Sequence, residues 1–241
     1  MRAAALRGLL RPPSASTGAS QLRAGGRHAS AAAAPAPRVY HYNISTHGLL
    51  FLAATQPQNI TSALKDARFL DFFFARVRRV QRAGAELALA QQQGGDGQGA
   101  YAWVSPCQGE LNMLRAAATP IVYRELGDEG LLWGGTYREP FDPAALRVSA
   151  KTGYVYHPAP TPPLRSYARA VERARAEGSA PPPNPYGGYA LLSSSLVLAR
   201  LAHGLDLASD VRAGEEAGEI EFDGTRHRLR ALEEHEVEGG M

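Results

Sequence analysis

The chain has 241 residues, 44% hydrophobic and 20% charged, an ordinary globular composition with material for one large domain or two small ones. Its net charge of +3 is unevenly placed: residues 1–37 hold Arg2, Arg7, Arg11, Arg23 and Arg27 and no acid, so taking away those five charges leaves −2. The overall basicity is therefore no argument for a nucleic-acid partner, and the lone cysteine, Cys107, excludes an intramolecular disulfide or a multi-cysteine metal site.

The first acid of the chain is Asp66, and the Arg/Ala/Ser-rich start before it has the composition of an organelle transit peptide. Arg7 and Arg11 interrupt the apolar core that a secretory signal needs, and Arg2 and Arg7 beside Leu6, Leu9 and Leu10 suit a cationic amphipathic helix. Residues 1–37 are thus read as a mitochondrial transit peptide and linker, cleaved between Arg23 and Arg38, with the matrix as destination. No stretch reaches the ~18 apolar residues that span a bilayer, so no membrane insertion is expected.

From Val39 to Ser45 the residues alternate as a strand, Thr46-His47-Gly48 turns, and Leu49 to Leu52 returns, which describes a hairpin. Ile60, Ala63, Leu64, Ala67, Leu70, Phe74 and Val77 then recur at helical spacing, predicting one long amphipathic helix over 59–80. Asn59 is its expected cap, and Arg76, Arg78 and Arg79 suit its C-terminal end. Residues 81–99, rich in Gly and Gln, read as a flexible insertion. Further strands are expected at Tyr101–Ser105, Ile121–Glu125 and Leu131–Tyr137, with a polar turn from Pro106 to Arg115 and a bulge at Gly134-Gly135. Asp142-Pro143 reads as a capped helical turn, and Tyr154–Tyr156 as a short strand.

Residues 161–187 form a second, proline-rich insertion, within which Leu164 to Glu177 predicts an exposed Ala/Arg helix. Tyr189 to Leu207 is apolar but ambiguous between helix and buried strands. Glu219–Phe222, Asp223-Gly224 and Thr225–Leu229 read as a closing hairpin on a primed turn. The fold class expected is α+β: a mostly antiparallel β-sheet packed on one long amphipathic helix, as a single domain over 38–241.

Laid out in order, these residues resemble a known family. The matching blocks are Tyr40-His41-Tyr42 with Gly48 and Leu50-Phe51-Leu52, then Ile60-Thr61, Lys65-Asp66, Phe69-Leu70, Phe73-Phe74 and Arg76. The most specific is Ser105-Pro106-Cys107 with Glu110, Asn112 and Leu114-Arg115; Pro120-Ile121-Val122, Gly134-Gly135, Pro140-Phe141-Asp142-Pro143-Ala144 and Tyr156-His157-Pro158-Ala159-Pro160 follow. Together they are similar to uncharacterised protein family 0598, domain of unknown function 4505, whose animal members are small mitochondrial proteins. The resemblance implies a mitochondrial location and one α+β domain, and it implies no activity. The family usually places glycine directly after the cysteine, where this chain has Gln108 followed by Gly109.

Two functional classes follow from the residues. In the first, the protein is a non-catalytic mitochondrial module binding a partner protein or a small acidic metabolite, with Glu110, Asn112 and Arg115 as candidate ligand contacts. In the second, the loop from Ser105 to Arg115 is catalytic, with Cys107 as nucleophile and His157 as base, although the Glu110 charge works against a thiolate. The plainer alternatives are a buried structural cysteine with Asn112 bonding the backbone, an internal Glu110–Arg115 pair, and a core histidine at 157 satisfied by a carbonyl. His203, His227 and His235 lack metal-ligand spacing, so neither metal nor cofactor is expected. The cluster Arg76, Arg78, Arg79 and Arg82 has no interleaved aromatic platform, so no nucleic-acid partner is expected.

Overall fold

In the computed structural model the described residues are 37–92, 100–233 and 236. All but the last residue of the transit peptide and linker read at 1–37, residues 93–99 of the insertion expected at 81–99, and the histidine at 235 lie outside them. Three sheets dominate the chain. The five-stranded sheet has the order β2 (Leu50–Leu52), β1 (Arg38–Ile44), β5 (Glu110–Ala116), β4 (Trp103–Cys107), β3 (Arg78–Arg79). The seven-stranded sheet runs β13 (Leu205–Leu207), β14 (Glu216–Phe222), β15 (Thr225–Leu232), β10 (Arg147–Ser149), β11 (Val155–Pro158), β12 (Tyr189–Leu192), β6 (Val122–Tyr123). β7 (Glu125–Gly127), β8 (Gly130–Trp133) and β9 (Tyr137–Glu139) form the third. The helices are short: α1 (Ala67–Phe74), α2 (Ala85–Gln92), α3 (Arg165–Glu177) and α4 (Ser194–Leu196), the last continuing as a π-turn at Val197–Leu201. None is long and apolar enough to cross a membrane among the described residues.

The α+β expectation is therefore corrected to a mostly β fold, because the long helix that was to carry the sheet does not form. Its first third is consumed by turns. The Asn59 side chain accepts from the amides of Thr61 and Ser62, and the Ser62 hydroxyl donates to the Pro57 carbonyl. Leu64 is drawn into a β-bridge with Leu50, and Ile60 is left 68% exposed. The helix starts at Asp66, whose carboxylate caps the Phe69 amide at 2.7 Å, and ends by Ala75. Arg78 and Arg79 then pair with Val104 and Trp103 as β3. Apolar spacing of three to four residues is satisfied here by a turn, one short helix and a strand in succession.

The segment 106–115, expected as a polar turn, is instead a hairpin. Only Gln108 and Gly109 turn, with φ of +51° and +82°, between β4 and β5. Pro106 is tolerated in β4 because β3 pairs only as far as Val104, so its missing N–H faces no third strand. Position 108 sits in the left-handed region that glycine adopts without steric cost, which accounts for the family's preference there.

Other local readings hold. The first hairpin forms as β1–β2, and Asp142 caps a 3₁₀ turn at Pro143–Ala145. Asp223 and Gly224, both at positive φ, close β14 on β15, and α3 occupies the predicted helix at 164–177. The insertion expected to be flexible at 81–99 carries α2, tied to β3 by a two-pronged Arg78–Glu86 pair. The ambiguous stretch 189–207 divides into β12, α4 with its π-turn, and β13.

The main core gathers residues of all three sheets and α1, with Phe73, Leu114, Tyr123, Leu131 and Ile220 wholly enclosed. On the opposite face of the five-stranded sheet, Ala90 of α2 packs with Tyr101, Val104 and Met113 in a small second cluster.

Gly134-Gly135 is the turn joining β8 to β9 and not a bulge. Asp71 of α1 accepts from the amides of Gly135 and Thr136 at 2.8 and 2.9 Å and from the Thr136 hydroxyl at 2.7 Å. A side chain at 135 would collide with the Ala67 backbone. Gly135→Ala is expected to destabilise the protein by about 1–3 kcal/mol in urea unfolding, more than Gly127→Ala, whose added methyl meets only the Arg138 guanidinium at 4.0 Å.

Candidate functional site

The most specific family block becomes a two-stranded ribbon, and strand parity decides which of its side chains meet. Ser105, Cys107, Glu110 and Asn112 share the face turned toward α1, with Ser105 opposite Asn112 and Cys107 opposite Glu110. Arg115, an odd position on β5, points to the other face. The candidate ligand group Glu110–Asn112–Arg115 is therefore divided by the sheet.

On the α1 face each polar group has an internal partner. The Ser105 hydroxyl donates to the Phe73 carbonyl at 2.6 Å. That bond uses its only hydrogen, so in the 3.3 Å contact between them the Cys107 thiol donates to Ser105 Oγ. A thiolate at 107 would lose that bond. Asn112 Nδ2 donates to the Ser105 carbonyl at 3.0 Å, the backbone role foreseen for it. Glu110 pairs with Arg38 at 2.6 Å, in place of the expected Arg115. Cys107 is only 7% exposed.

Arg115 is buried on the α2 face, its guanidinium 4.3 Å over the Tyr101 ring, which also meets His41 edge-on at 4.8 Å. Burial, and then the charge of Arg115, push the His41 pKa down. Asn43 lies beside Arg115 across the β1–β5 pairing.

His157 belongs to β11 in the seven-stranded sheet, whereas Cys107 belongs to β4 in the five-stranded one. It is 4% exposed, stacked on Phe141 at 5.8 Å and edge-on to Tyr123. Its Nε2 accepts the Asp142 amide at 3.1 Å, so Nδ1 carries the proton and donates to the Pro158 carbonyl at 3.2 Å. The Tyr123 hydroxyl donates to that same carbonyl. Both ring nitrogens are thus engaged with backbone, and the imidazole ties the Asp142 cap to β11. No hydrogen bond joins His157 to Cys107.

The arginine cluster read from sequence is dispersed. Arg76 donates to the Phe72 carbonyl and lies over the Phe72 ring, Arg78 holds Glu86, and Arg79 covers Trp103. Among the described residues no group of three or more His, Cys, Asp or Glu is gathered as a metal site would need.

Open space lies elsewhere. A shallow groove of about 410 Å³ is lined by Asp206, Glu219, Glu221, Asp223, His203 and Arg226. A second, of about 500 Å³, meets it at Asp223, with Leu126, Phe141 and Phe222 below and Asp128, Glu129 and Arg200 at the rim. The alternation of Glu219 and Glu221 on β14 was readable from sequence. The approach of Glu219 to Asp206 was not, since it depends on the β13–β14 pairing.

Two outcomes test this geometry. The His157 pKa is lowered, chiefly by burial and against the opposing pull of the Pro158 carbonyl and the Asp142 charge. Below the unfolded value near 6.5 the unfolded chain takes up a proton that the folded imidazole refuses. Stability is then full above about pH 6.5 and falls as pH drops toward the folded pKa, with a slope of at most about 1.4 kcal/mol per pH unit from this group. His157→Gln should flatten urea midpoints measured across that window, His41 retaining part of the slope because its pKa moves the same way. Separately, iodoacetamide should label Cys107 slowly in the folded protein from about pH 6 to about pH 9; fast labelling at the acid end would mean an activated thiolate.

A family model described as Domain of unknown function (DUF4505) matches residues 30–168, more than half of the chain. No solved structure matches it. The match spans the first hairpin, α1, the β4–β5 ribbon, the three-stranded sheet and the His157 clamp, the blocks on which the resemblance was drawn. The chain belongs to the DUF4505 family.

Proposed function

We propose that the protein is a non-catalytic module of the mitochondrial matrix that docks a partner protein. One observation carries the reading: Ser105, Cys107, Asn112 and His157 are each held by hydrogen bonds inside the fold, and Glu110 is paired with Arg38 at its surface. A catalytic group needs a free valence aimed at a substrate, and a nucleophile needs its base within hydrogen-bond reach. Both described grooves are open, and carboxylates outnumber cationic side chains in each, which disfavours a small acidic metabolite and suits a macromolecular surface. The Arg-rich, acid-free segment 1–37 supports delivery to the matrix.

Import and capture test the two halves. Full-length chain offered to energised mitochondria is expected to become protease-protected and shorter, while the variant with Gln at Arg2, Arg7 and Arg11 stays outside. A photo-crosslinking amino acid replacing Arg200, at the rim of the second groove, is expected to yield one discrete heteromeric adduct in intact mitochondria. Return of uncrosslinked monomer from that position and from the exposed Leu198 beside it would remove the docking reading.

A further inference from the structure

Helix α3 is built against its own electrostatics. Arg165, Arg169 and Arg173 follow at four-residue intervals on one exposed face, about 6 Å apart along the axis, with Arg175 close by. Like charges at this spacing repel and destabilise the helix. Arg165 also stands in the first turn, at the positive end of the helix dipole, where there is no acid and Leu164 offers no side-chain cap. Elsewhere most arginines are compensated: Arg38, Arg78, Arg138, Arg226 and Arg228 face carboxylates, while Arg76, Arg79 and Arg147 lie over rings, and the exceptions Arg68, Arg200 and Arg212 stand singly on separate elements. Among the described residues the four arginines of α3 make no ion pair, side-chain hydrogen bond or ring contact.

The helix is nevertheless firmly held. Ala174 is buried and Tyr167 donates its hydroxyl to the Pro182 carbonyl. Gly178, left-handed at φ +64°, ends the helix, and Ser179 returns its amide to Ala174. A rod with a cationic row is presented outward on a fixed mount, and Glu172 and Glu177, which form no ion pair with it, offset only part of its charge.

The rest of the exposed face selects the partner. Between the arginines lie Ser166, Ala168, Glu172 and Ala176, with no aromatic or large aliphatic side chain to anchor a protein interface. Tyr167, bound to Pro182, is no stacking platform for single-stranded nucleic acid. A flat anionic surface needs neither apolar anchor nor platform, and it feels only charges within about one Debye length, some 8 Å. We propose that α3 lays its arginine row on the headgroup phosphates of an anionic phospholipid membrane and holds the protein there peripherally, without insertion. The proposal is independent of the partner-protein reading, since the family match reaches only the first four residues of α3.

The test is vesicle flotation of the full-length chain with Gln at Arg2, Arg7, Arg11, Arg23 and Arg27, which removes the attraction of the N-terminal segment. Binding is expected to vesicles of equal parts phosphatidylcholine and phosphatidylglycerol, not to phosphatidylcholine alone, and to be released by salt. R165Q/R169Q/R173Q is expected to weaken it by about a hundredfold, roughly fivefold per guanidinium, with no loss of thermal midpoint because two repulsive pairs disappear. R165K/R169K/R173K, which keeps the charges, is expected to bind like the parent. Equal partitioning of the parent to neutral and anionic vesicles, or full binding by the Gln variant, would overturn the proposal. Tighter binding of polyuridylate than of vesicles through the same three arginines would assign the row to nucleic acid instead.

Discussion

The carboxylate of Asp71 takes three hydrogen bonds from Gly135 and Thr136, and two residues further along α1 the Phe73 carbonyl takes one from Ser105. One eight-residue helix thereby fastens the three-stranded sheet to the five-stranded one. Its aromatic side chains fill the space between, Phe73 meeting Tyr42 at 5.0 Å and Phe74 at 5.3 Å. The helix can approach so closely only because residue 135 has no side chain, the Ala67 backbone occupying the volume a Cβ would need. The parallel β1–β5 pairing depends on the same arrangement, since a parallel neighbour requires a crossover and α1 lies in that connection.

Given that frame, the polar residues of the family block act as fasteners. Ser105 joins β4 to α1, Asn112 crosses the ribbon to the Ser105 carbonyl, and Cys107 donates its thiol proton into the same knot. His157 performs the equivalent task in the seven-stranded sheet, one nitrogen on the Asp142 amide and the other on the Pro158 carbonyl. Buried polar groups satisfied in this way specify one packing, because any rearrangement leaves a desolvated donor or acceptor unpaired. The same economy leaves these groups little capacity for chemistry.

Charge is separated over the surface. Carboxylates of β13, β14 and the β7–β8 turn line the two grooves that meet at Asp223, and arginines without internal partners concentrate on α3. Interactions of this kind act over a screened distance and steer association before contact is made. They belong to recognition more than to stability, since solvent-exposed ion pairs are worth little to the folded state.

Features encoded within about four residues were legible in the sequence: the turn at Thr46–Gly48, the Asp142-Pro143 cap, the Asp223-Gly224 hairpin, the exposed helix at 164–177 and the ordered family blocks. Each is governed by a local hydrogen bond or a backbone preference that its own residues supply. Tertiary structure decided what depended on partners far along the chain. Leu50 broke the long apolar run by capturing Leu64, and Trp103 and Val104 took Arg79 and Arg78 into a strand. Arg38 claimed Glu110, and the two-residue period of β5 put Arg115 on the face opposite Asn112. Cys107 and His157 were assigned to different sheets. Apolar spacing says that a residue will be buried, but a helix, a turn and a strand can each bury it, and only the neighbour that arrives selects among them.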